Sequence, residues 1–509
     1  MKRTLFLVVG LFTLFSCAVD DVDTASRDDS TNFTTDSNQY SISEEEALAN
    51  LYAFMGEGGD SRSSDNRIVS TVLPVKYGNL GTRAVDGIDC ENLLYIANFE
   101  NEAGYAILAG DTRIDDEVIA ITDRGSLDPE TLGDIIVEWE NDGRTYYEDY
   151  PMTGPGFFTV PEAGDEVFMN PNTVNMYDEE VGDWLIGTFD PDRTQVGSRA
   201  IYKSEEFNTH DASDFFAVSL SVNYANSRLI GFIPGIHDDG DGDGENTREY
   251  ITKSSWRNIT TTESLLSRYK AWGQWYPFND RYPWTRKYLF WGEEERAPAG
   301  CFPLAIAKLM TYFQTPANMM IGLQPIYWAD LHYSHTSLLG SISAAHLLPA
   351  ISQGCASLYF YEGTFTFPAF AVIFMRSVGL ENAEKYNYDF DIVKNMIDND
   401  CPLIIYGMPG SNVTKSHAWN IDGYKTQERT ITTEVYVNGI RQSVTEEIEY
   451  RNMVHCDFGW QGYHNGYYTS GIFDLNGNTE NIDLDPNTDT WSNTNYNSYI
   501  HIITYNKPV

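Results

Sequence analysis

Cysteine is scarce in this chain of 509 residues, which contains only six of them. Cys17 lies close to the N-terminus, and the others are Cys90, Cys301, Cys355, Cys401 and Cys456. The thiols that remain after Cys17 are odd in number, and no spacing among them suggests a disulfide framework or a structural zinc site. We therefore expect no metal and no cofactor, and at least one thiol that can take part in chemistry.

Basic residues are also few, because 33 lysines and arginines face 74 aspartates and glutamates and give a formal net charge of −41. Such a surface repels nucleic acid and anionic lipid, which excludes nucleic-acid binding as a main role. Beyond the N-terminus no apolar run is long enough to span a bilayer. We expect membrane association only through a lipid anchor, and the length predicts two or more domains.

The N-terminus has the pattern of an exported lipoprotein. Lys2-Arg3 precedes a short apolar segment, so residues 1–16 are predicted to be a signal peptide. The sequence Leu14-Phe15-Ser16-Cys17 resembles a bacterial lipobox, in which Cys17 is lipidated; the alternative is an ordinary signal peptide with a chance cysteine. Residues 17–42 are polar and predict a disordered tether. We expect a lipoprotein at the outer membrane or cell surface, or one released to the medium.

Cys301 stands at the start of a predicted helix. Apolar residues recur at helical spacing on one face, at Phe302, Ala305, Ile306, Leu309, Met310 and Phe313. Pro303 suits the first turn, and Pro316 marks the far end. The unpaired N–H groups of a helix N-terminus favour an anion, and a thiol there beside an imidazolium becomes a thiolate. The alternative is a small buried cysteine that packs like alanine.

His417 opens the second of two predicted buried strands, of which the first is Pro402–Tyr406. The dipeptide Asn438-Gly439 predicts a hairpin turn, after which the chain returns to Asp457. A histidine that opens a strand, with an acidic residue at the end of a neighbouring strand, can be a base held in one tautomer. Cys301 and His417 therefore indicate a nucleophile and its base.

Four segments carry a family resemblance: Trp272–Asn279, Gly300-Cys301, Ser416–Gly423 and Asp457–Gly462. In this order they resemble the streptopain family of papain-like cysteine peptidases. The resemblance implies a catalytic domain of α+β fold over residues 251–509. Its helical part carries Cys301, and its antiparallel sheet carries His417.

The resemblance also assigns roles to two further residues. Gln274 matches the glutamine that helps to form the oxyanion hole in relatives. Asp457 stands where the family has an asparagine that orients the histidine, and either side chain can accept the imidazole N–H. Phe458 replaces a shielding tryptophan, and Ser416 replaces a glycine. These departures bear on rate and pocket shape more than on the class of reaction.

Residues 43–250 resemble the propeptide of streptopain-like precursors. A helix is predicted over Ser43–Met55, and strands are predicted over Leu93–Phe99, Gly104–Asp111 and Glu117–Thr122. The acidic stretch 238–246 resembles the opening of a calcium loop, but Tyr250 occupies the position of its closing glutamate, which favours a linker. The alternative for this α+β region is an unrelated accessory domain.

These features predict an exported cysteine endopeptidase made as an inactive precursor. Its partners would be protein or peptide substrates, with residues 43–250 acting as an intramolecular inhibitor. A catalytically idle surface binding protein and a thiol transferase or amidase on the same fold are the alternatives.

Overall fold

The structure is a computed structural model. The residues that it describes are 40–56, 67–77, 90–129, 132–133, 177–178, 183–184, 186–187, 212–231, 247–254, 256–288, 291–360, 363–408, 416–437, 440–473 and 500–508. All described residues lie in one compact unit, Asn38–Val509. The predicted signal peptide 1–16, the lipidation site Cys17 and the acidic linker 238–246 lie outside the described residues.

Helices and strands alternate irregularly along the chain. The helices are α1 (Glu44–Gly56), α2 (Ala212–Gly231), α3 (Cys301–Phe313), α4 (Trp328–Tyr333), α5 (Leu338–Gly354), α6 (Pro368–Ser377) and α7 (Phe390–Asp398).

The strands of the N-terminal region are β1 (Val69–Lys76), β2 (Asn92–Phe99), β3 (Tyr105–Ala109), β4 (Val118–Thr122), β5 (Tyr177–Asp178) and β6 (Asp183–Trp184). They are followed by β7 (Thr247–Lys253), β8 (Arg257–Thr261), β9 (Trp284–Tyr288), β10 (Trp291–Arg296), β11 (Met320–Ile321), β12 (Gln324–Pro325), β13 (Leu358–Tyr359) and β14 (Thr364–Phe365). The last strands are β15 (Glu384–Asn387), β16 (Leu403–Gly407), β17 (His417–Val437), β18 (Ile440–Asp457), β19 (Gly466–Thr469) and β20 (His501–Thr504).

A large antiparallel sheet organises the described residues. Its strands follow the order β1-β2-β3-β4-β19-β18-β17-β16-β20-β15, and β7 and β8 also pair with β17. Helix α3 packs against this sheet with residues Cys301–Thr311 all buried. The predicted α+β fold is therefore confirmed, with Cys301 on a helix and His417 on the sheet.

The long hairpin of β17 and β18 is the centre of the sheet. The two strands pair from Asn420↔Asp457 out to Val437↔Ile440, as the predicted turn at 438–439 requires, although the turn itself lies outside the described residues. The other edge of β17 pairs in turn with β16, β8 and β7. The predicted domain boundary between residues 250 and 251 thus falls inside the paired strand β7.

The N-terminal region continues the same sheet. The predicted helix and strands of this region appear as α1, β2, β3 and β4, and β2 to β4 are almost entirely buried. Strand β4 pairs with β19 through Gly466↔Thr122, Tyr467↔Ile121 and Tyr468↔Ala120. The end of the predicted tether is also packed, because Ile42 is buried and its N–H donates to the carbonyl of Gly110 at 3.0 Å.

Charged side chains reinforce this junction. Glu117, just before β4, accepts from Arg429, Arg451 and the indole of Trp256. Burial opposes ionisation of Glu117, but the two guanidinium groups outweigh it and hold the pKa of the carboxyl below its usual value. The ion pairs therefore tie β4 to the central hairpin.

A buried histidine makes a second junction at the opposite end of β4. His455 contacts Asp422 through Nδ1 at 2.6 Å and Asp123 through Nε2 at 3.2 Å. Burial lowers the pKa of His455, but the two carboxylates outweigh this and raise it to about 10. The imidazole is therefore a cation at neutral pH, held between the N-terminal region and β17.

Among the described residues, no helix has the length and apolar character needed to cross a membrane. The same residues contain no group of three or more His, Cys, Asp or Glu side chains placed to hold a metal ion.

Candidate active site

The start of α3 is fixed by a glycine in a conformation that other residues avoid. Gly300 is the N-cap with φ +85°, and a Cβ there would lie 2.9 Å from Cγ2 of Thr364. Thr364 in turn donates to the carbonyl of Pro298 at 2.6 Å. Cys301 is therefore the first helical residue, buried, where the N–H groups of the first turn favour a thiolate.

His417 lies in an aromatic environment at the beginning of β17. Its ring centroid is 6.0 Å from that of Trp419 and 6.1 Å from those of Phe458 and Trp460. The Nε2–H group donates to the carbonyl of Phe458 at 2.9 Å. In the neutral ring Nδ1 is then the nitrogen that can take a proton from a thiol.

Burial is the main influence on the ionisation of His417. It lowers the pKa of the imidazole to about 4; the Phe458 carbonyl opposes this shift, and the positive charge of Lys308 adds to it. His417 is therefore neutral at neutral pH in this structure.

Helix α3 and strand β17 are held together close to these two residues. The side-chain amide of Asn420 donates to the carbonyl of Ala305 at 3.3 Å. The rings of Phe302 and Tyr406, on α3 and β16, lie 5.3 Å apart. The structure thus packs the helix that begins at Cys301 onto the strand that begins at His417.

Gln274 lies beside the backbone that leads into Cys301. The main-chain carbonyl of Gln274 accepts a hydrogen bond from the N–H of Ala299 at 2.9 Å. The side chain is 2% exposed, and neither its oxygen nor its nitrogen has a hydrogen-bond partner among the described residues. A buried amide without a partner is costly, and such a group is expected where it serves a ligand or a reacting atom.

Asp457 differs from the sequence expectation. Its carboxylate accepts from Lys308 Nζ at 2.7 Å, from the N–H of Gly459 at 3.1 Å and from Asn465 Nδ2 at 3.0 Å. None of its hydrogen bonds involves His417. The carbonyl of Phe458 takes the place predicted for this carboxylate.

The pleat of the sheet explains the difference. Asp457 lies directly opposite Asn420, and cross-strand partners point to the same face, here the face covered by α3. His417 is an odd number of residues from Asn420 and points to the opposite face with Trp419. Phe458, one residue after Asp457, therefore reaches the histidine.

Two residues of this site are absent from the sequence prediction. Lys308 is the single charged residue in the buried run of α3, and a lysine at that place is a signal that a partner carboxylate lies opposite. Asn465 bridges Asp457 and the backbone N–H of Phe458, and no local pattern marks it.

The described residues form an α+β fold in which Cys301 begins a helix and His417 begins a strand of the large antiparallel sheet. Residues 364–468 match the Peptidase C10 family, which confirms the predicted resemblance to the streptopain family over a segment that includes His417 and Asp457. Cys301 and Gln274 precede the matched segment.

Among solved structures, the chain is similar to the active wild-type interpain A cysteine protease of Prevotella intermedia. The identity is 20%, the TM-score is 0.32, and the alignment covers 49% of this chain and 97% of the other. A comparison with curated protein sequences finds no significant match.

The unpaired amide of Gln274 gives a prediction that separates catalysis from stability. Gln274→Leu should lower kcat by about 10²–10³, as expected for loss of one oxyanion donor. The free energy of unfolding should be unchanged or higher, since no hydrogen bond is lost. Peptide hydrolysis and thermal unfolding measure the two effects.

Gln427→Leu is the matched control, because this buried glutamine bonds to Asn258 and Arg451. It should lose about 2 kcal/mol of stability. Equal destabilisation by the two variants, with normal turnover in Gln274→Leu, would contradict the role of Gln274.

Proposed function

We propose that this protein is a cysteine endopeptidase made as an inactive precursor. The proposal is supported chiefly by Cys301 at the N-terminus of α3, packed against the strand that begins at His417. The class of protein agrees with the Peptidase C10 match of residues 364–468. Gln274 is a suitable second donor beside the reacting carbon because its buried amide is unpaired.

In this structure His417 points to the face opposite α3, so in the proposed reaction its imidazole first turns towards Cys301. The Cys301 thiol then gives its proton to the imidazole, and the sulfur attacks the peptide carbonyl. The Cys301 backbone N–H and the Gln274 amide stabilise the oxyanion. The imidazolium then gives the proton to the leaving amine, which leaves a thioester on the enzyme. Water, deprotonated by His417, hydrolyses the thioester and restores the thiol.

The nucleophile can be tested directly. Cys301→Ala should reduce hydrolysis of casein by about 10⁶-fold, to background, because no other group can form the thioester. Cys355→Ala is the control, since burial raises the pKa of that thiol and keeps it protonated. An epoxide thiol inhibitor should label Cys301 in the active protein. Hydrolysis by Cys301→Ala at the wild-type rate would contradict the mechanism, and so would an inactive wild-type protein whose Cys301 does not react.

The placement of residues 186–187 supports the precursor state. Ile186 exchanges two backbone hydrogen bonds with Thr366, at 3.0 and 2.9 Å. Gly187 donates its N–H to the hydroxyl of Ser416 at 3.1 Å and accepts from the same hydroxyl at 3.2 Å. Ile186 and Gly187 therefore contact two places near the site. One is Thr366, just after β14, whose Thr364 lies beside Gly300, and the other is Ser416, the residue before His417.

The electrostatic state of His417 agrees with latency. With a pKa of about 4 the imidazole is neutral at neutral pH, so a thiolate–imidazolium pair is disfavoured in this state. Admission of water to the site would reduce the effect of burial and raise the pKa of His417. Removal of the N-terminal residues would therefore uncover the site and activate its base together.

Gly187 provides a test of latency. A Cβ at this position would lie 2.6 Å from the carbonyl oxygen of Thr364, a backbone atom that cannot easily move. Gly187→Val should displace the segment, and the initial hydrolysis rate of the uncut precursor should rise by about 10-fold or more, because the site is freed.

Gly133→Val is the control in the same region, because a Cβ there meets nothing within 4 Å. Its precursor should stay as slow as the wild type. Processing is followed on gels so that only uncut protein is counted. An uncut wild-type precursor as active as the processed form would contradict latency.

We further propose export as a lipoprotein anchored through Cys17, on the strength of the Leu14-Phe15-Ser16-Cys17 sequence. Cells given radiolabelled palmitate should incorporate label into the wild-type protein and not into Cys17→Ala. Equal labelling of both would contradict the assignment.

A further inference from the structure

Lys308 is an unusual residue for its place in the fold. It lies in the third turn of α3, its side chain has no exposed surface, and its Nζ is 2.7 Å from Oδ2 of Asp457. Removing two charges from water is expensive, and a buried pair seldom adds net stability compared with apolar residues of the same size. Packing alone therefore gives no reason for this pair.

The pair is connected to His417 by an unbroken series of hydrogen bonds. Lys308 holds Asp457, whose other carboxylate oxygen accepts from Asn465 Nδ2 at 3.0 Å and from the N–H of Gly459 at 3.1 Å. Oδ1 of Asn465 accepts from the N–H of Phe458 at 2.9 Å. The N–H of Gly459 and the carbonyl of Phe458 belong to the same peptide group, so Asp457 fixes this peptide through Gly459, and its carbonyl accepts the Nε2–H of His417.

The charges of the pair act on the same imidazole with opposite signs. Lys308 disfavours the imidazolium of His417. A carboxylate has the opposite charge, so on electrostatic grounds Asp457 acts on the imidazolium with the opposite sign. Lys308, on α3, and Asp457, at the end of β18, are the charged groups that this network places near His417, and the Cys301 thiol begins the same helix. Lys308 also disfavours protonation of the half-buried His335, after the larger effect of burial.

We propose that Lys308 is a positioning residue, which acts through Asp457 and the Phe458 carbonyl to orient His417 and to balance the charge around it. The inference rests on the proposed function, because it assigns Lys308 a role in the chemistry of Cys301 and His417. The aspartate at position 457 then serves as the counter-ion of Lys308, and the histidine's acceptor is a main-chain carbonyl.

The test compares Lys308→Gln, Asp457→Asn and the double variant, which keeps two amides of similar shape without charge. Each single variant leaves one buried charge without its partner. Each should lower kcat by about 10-fold to 100-fold with little change in KM, because the imidazole loses its alignment. The double variant should recover kcat to within about 3-fold of the wild type, since neither charge remains.

The alkaline limb of kcat/KM, which reports loss of the imidazolium, provides the second readout. In Lys308→Gln the remaining carboxylate favours the imidazolium, so the limb should move to higher pH. In Asp457→Asn the remaining ammonium opposes it, so the limb should move to lower pH. A purely structural defect would not move the limb in opposite directions.

The control neutralises a different ion pair, on the surface of the protein. Lys394 and Asp398 form an exposed pair at 2.6 Å on α7, and Lys394→Gln/Asp398→Asn should leave kcat and the pH profile unchanged. Assays use the full chain after it has processed itself. Single variants that shift the limb in the same direction, or a double variant as slow as the single variants, would overturn the inference.

Alkylation of Cys301 by iodoacetamide, followed by mass spectrometry against pH, needs no turnover and separates the two proposals. A wild-type protein whose Cys301 never reacts contradicts the proposed function. A reactive Cys301 whose pH dependence is the same in the wild type and in both single variants overturns the role of Lys308 and leaves the proposed function standing. Opposite shifts in the two single variants support it, even if one of them is too unstable for kinetic assays.

Discussion

The antiparallel ladder between β17 and β18 is the constraint on which the site depends. Its register places Asp457 opposite Asn420 and Cys456 opposite Ile421, and a bulge at Asp422 absorbs the irregularity beyond them. Alternation along the strands then decides which side chains meet α3 and which meet His417. A slip by one residue would exchange Asp457 with Phe458 and break both the ion pair and the aromatic cluster. The geometry of the histidine is therefore a property of the whole hairpin.

The same hairpin joins the N-terminal region to the rest of the molecule. Arg429 and Arg451, one on each strand of the hairpin, both form ion pairs with Glu117, and His455 on β18 forms an ion pair with Asp123. These carboxylates come from either end of β4, whose backbone also pairs with β19. Backbone hydrogen bonds between β4 and β19 and ion pairs at both ends of β4 thus join the N-terminal region to the central hairpin. Under the proposed latency, these contacts would hold the N-terminal region in place without a large contact at the reacting residues themselves.

The sequence predicts the elements of the site better than the contacts between them. The helix from Cys301 follows from apolar periodicity and Pro303, and the hairpin follows from Asn438-Gly439 between alternating residues. The pairing of Lys308 with Asp457 joins residues 149 positions apart and depends on strand register, which local patterns do not encode. The contact of Gly187 with Ser416 has no signal either, because residues 150–250 lack a clear period. Family resemblance therefore predicts that Asp457 orients His417, whereas the pleat turns Asp457 towards the helix.

The pairing of β4 with β19 has a consequence for a molecule that has lost its N-terminal residues. Strand β19 is only four residues long, and its outer edge pairs with Ile121 and its neighbours. Once β4 departs, the amides and carbonyls of Gly466–Thr469 would lie on an open border, where any extended peptide of suitable length can take up the same bonds. A released N-terminal segment, a second molecule of this protein or an extended part of a substrate would then compete for the same free edge of β19. If the precursor is processed as proposed, loss of β4 would therefore leave a strand edge that can bind peptides, in addition to an accessible thiol.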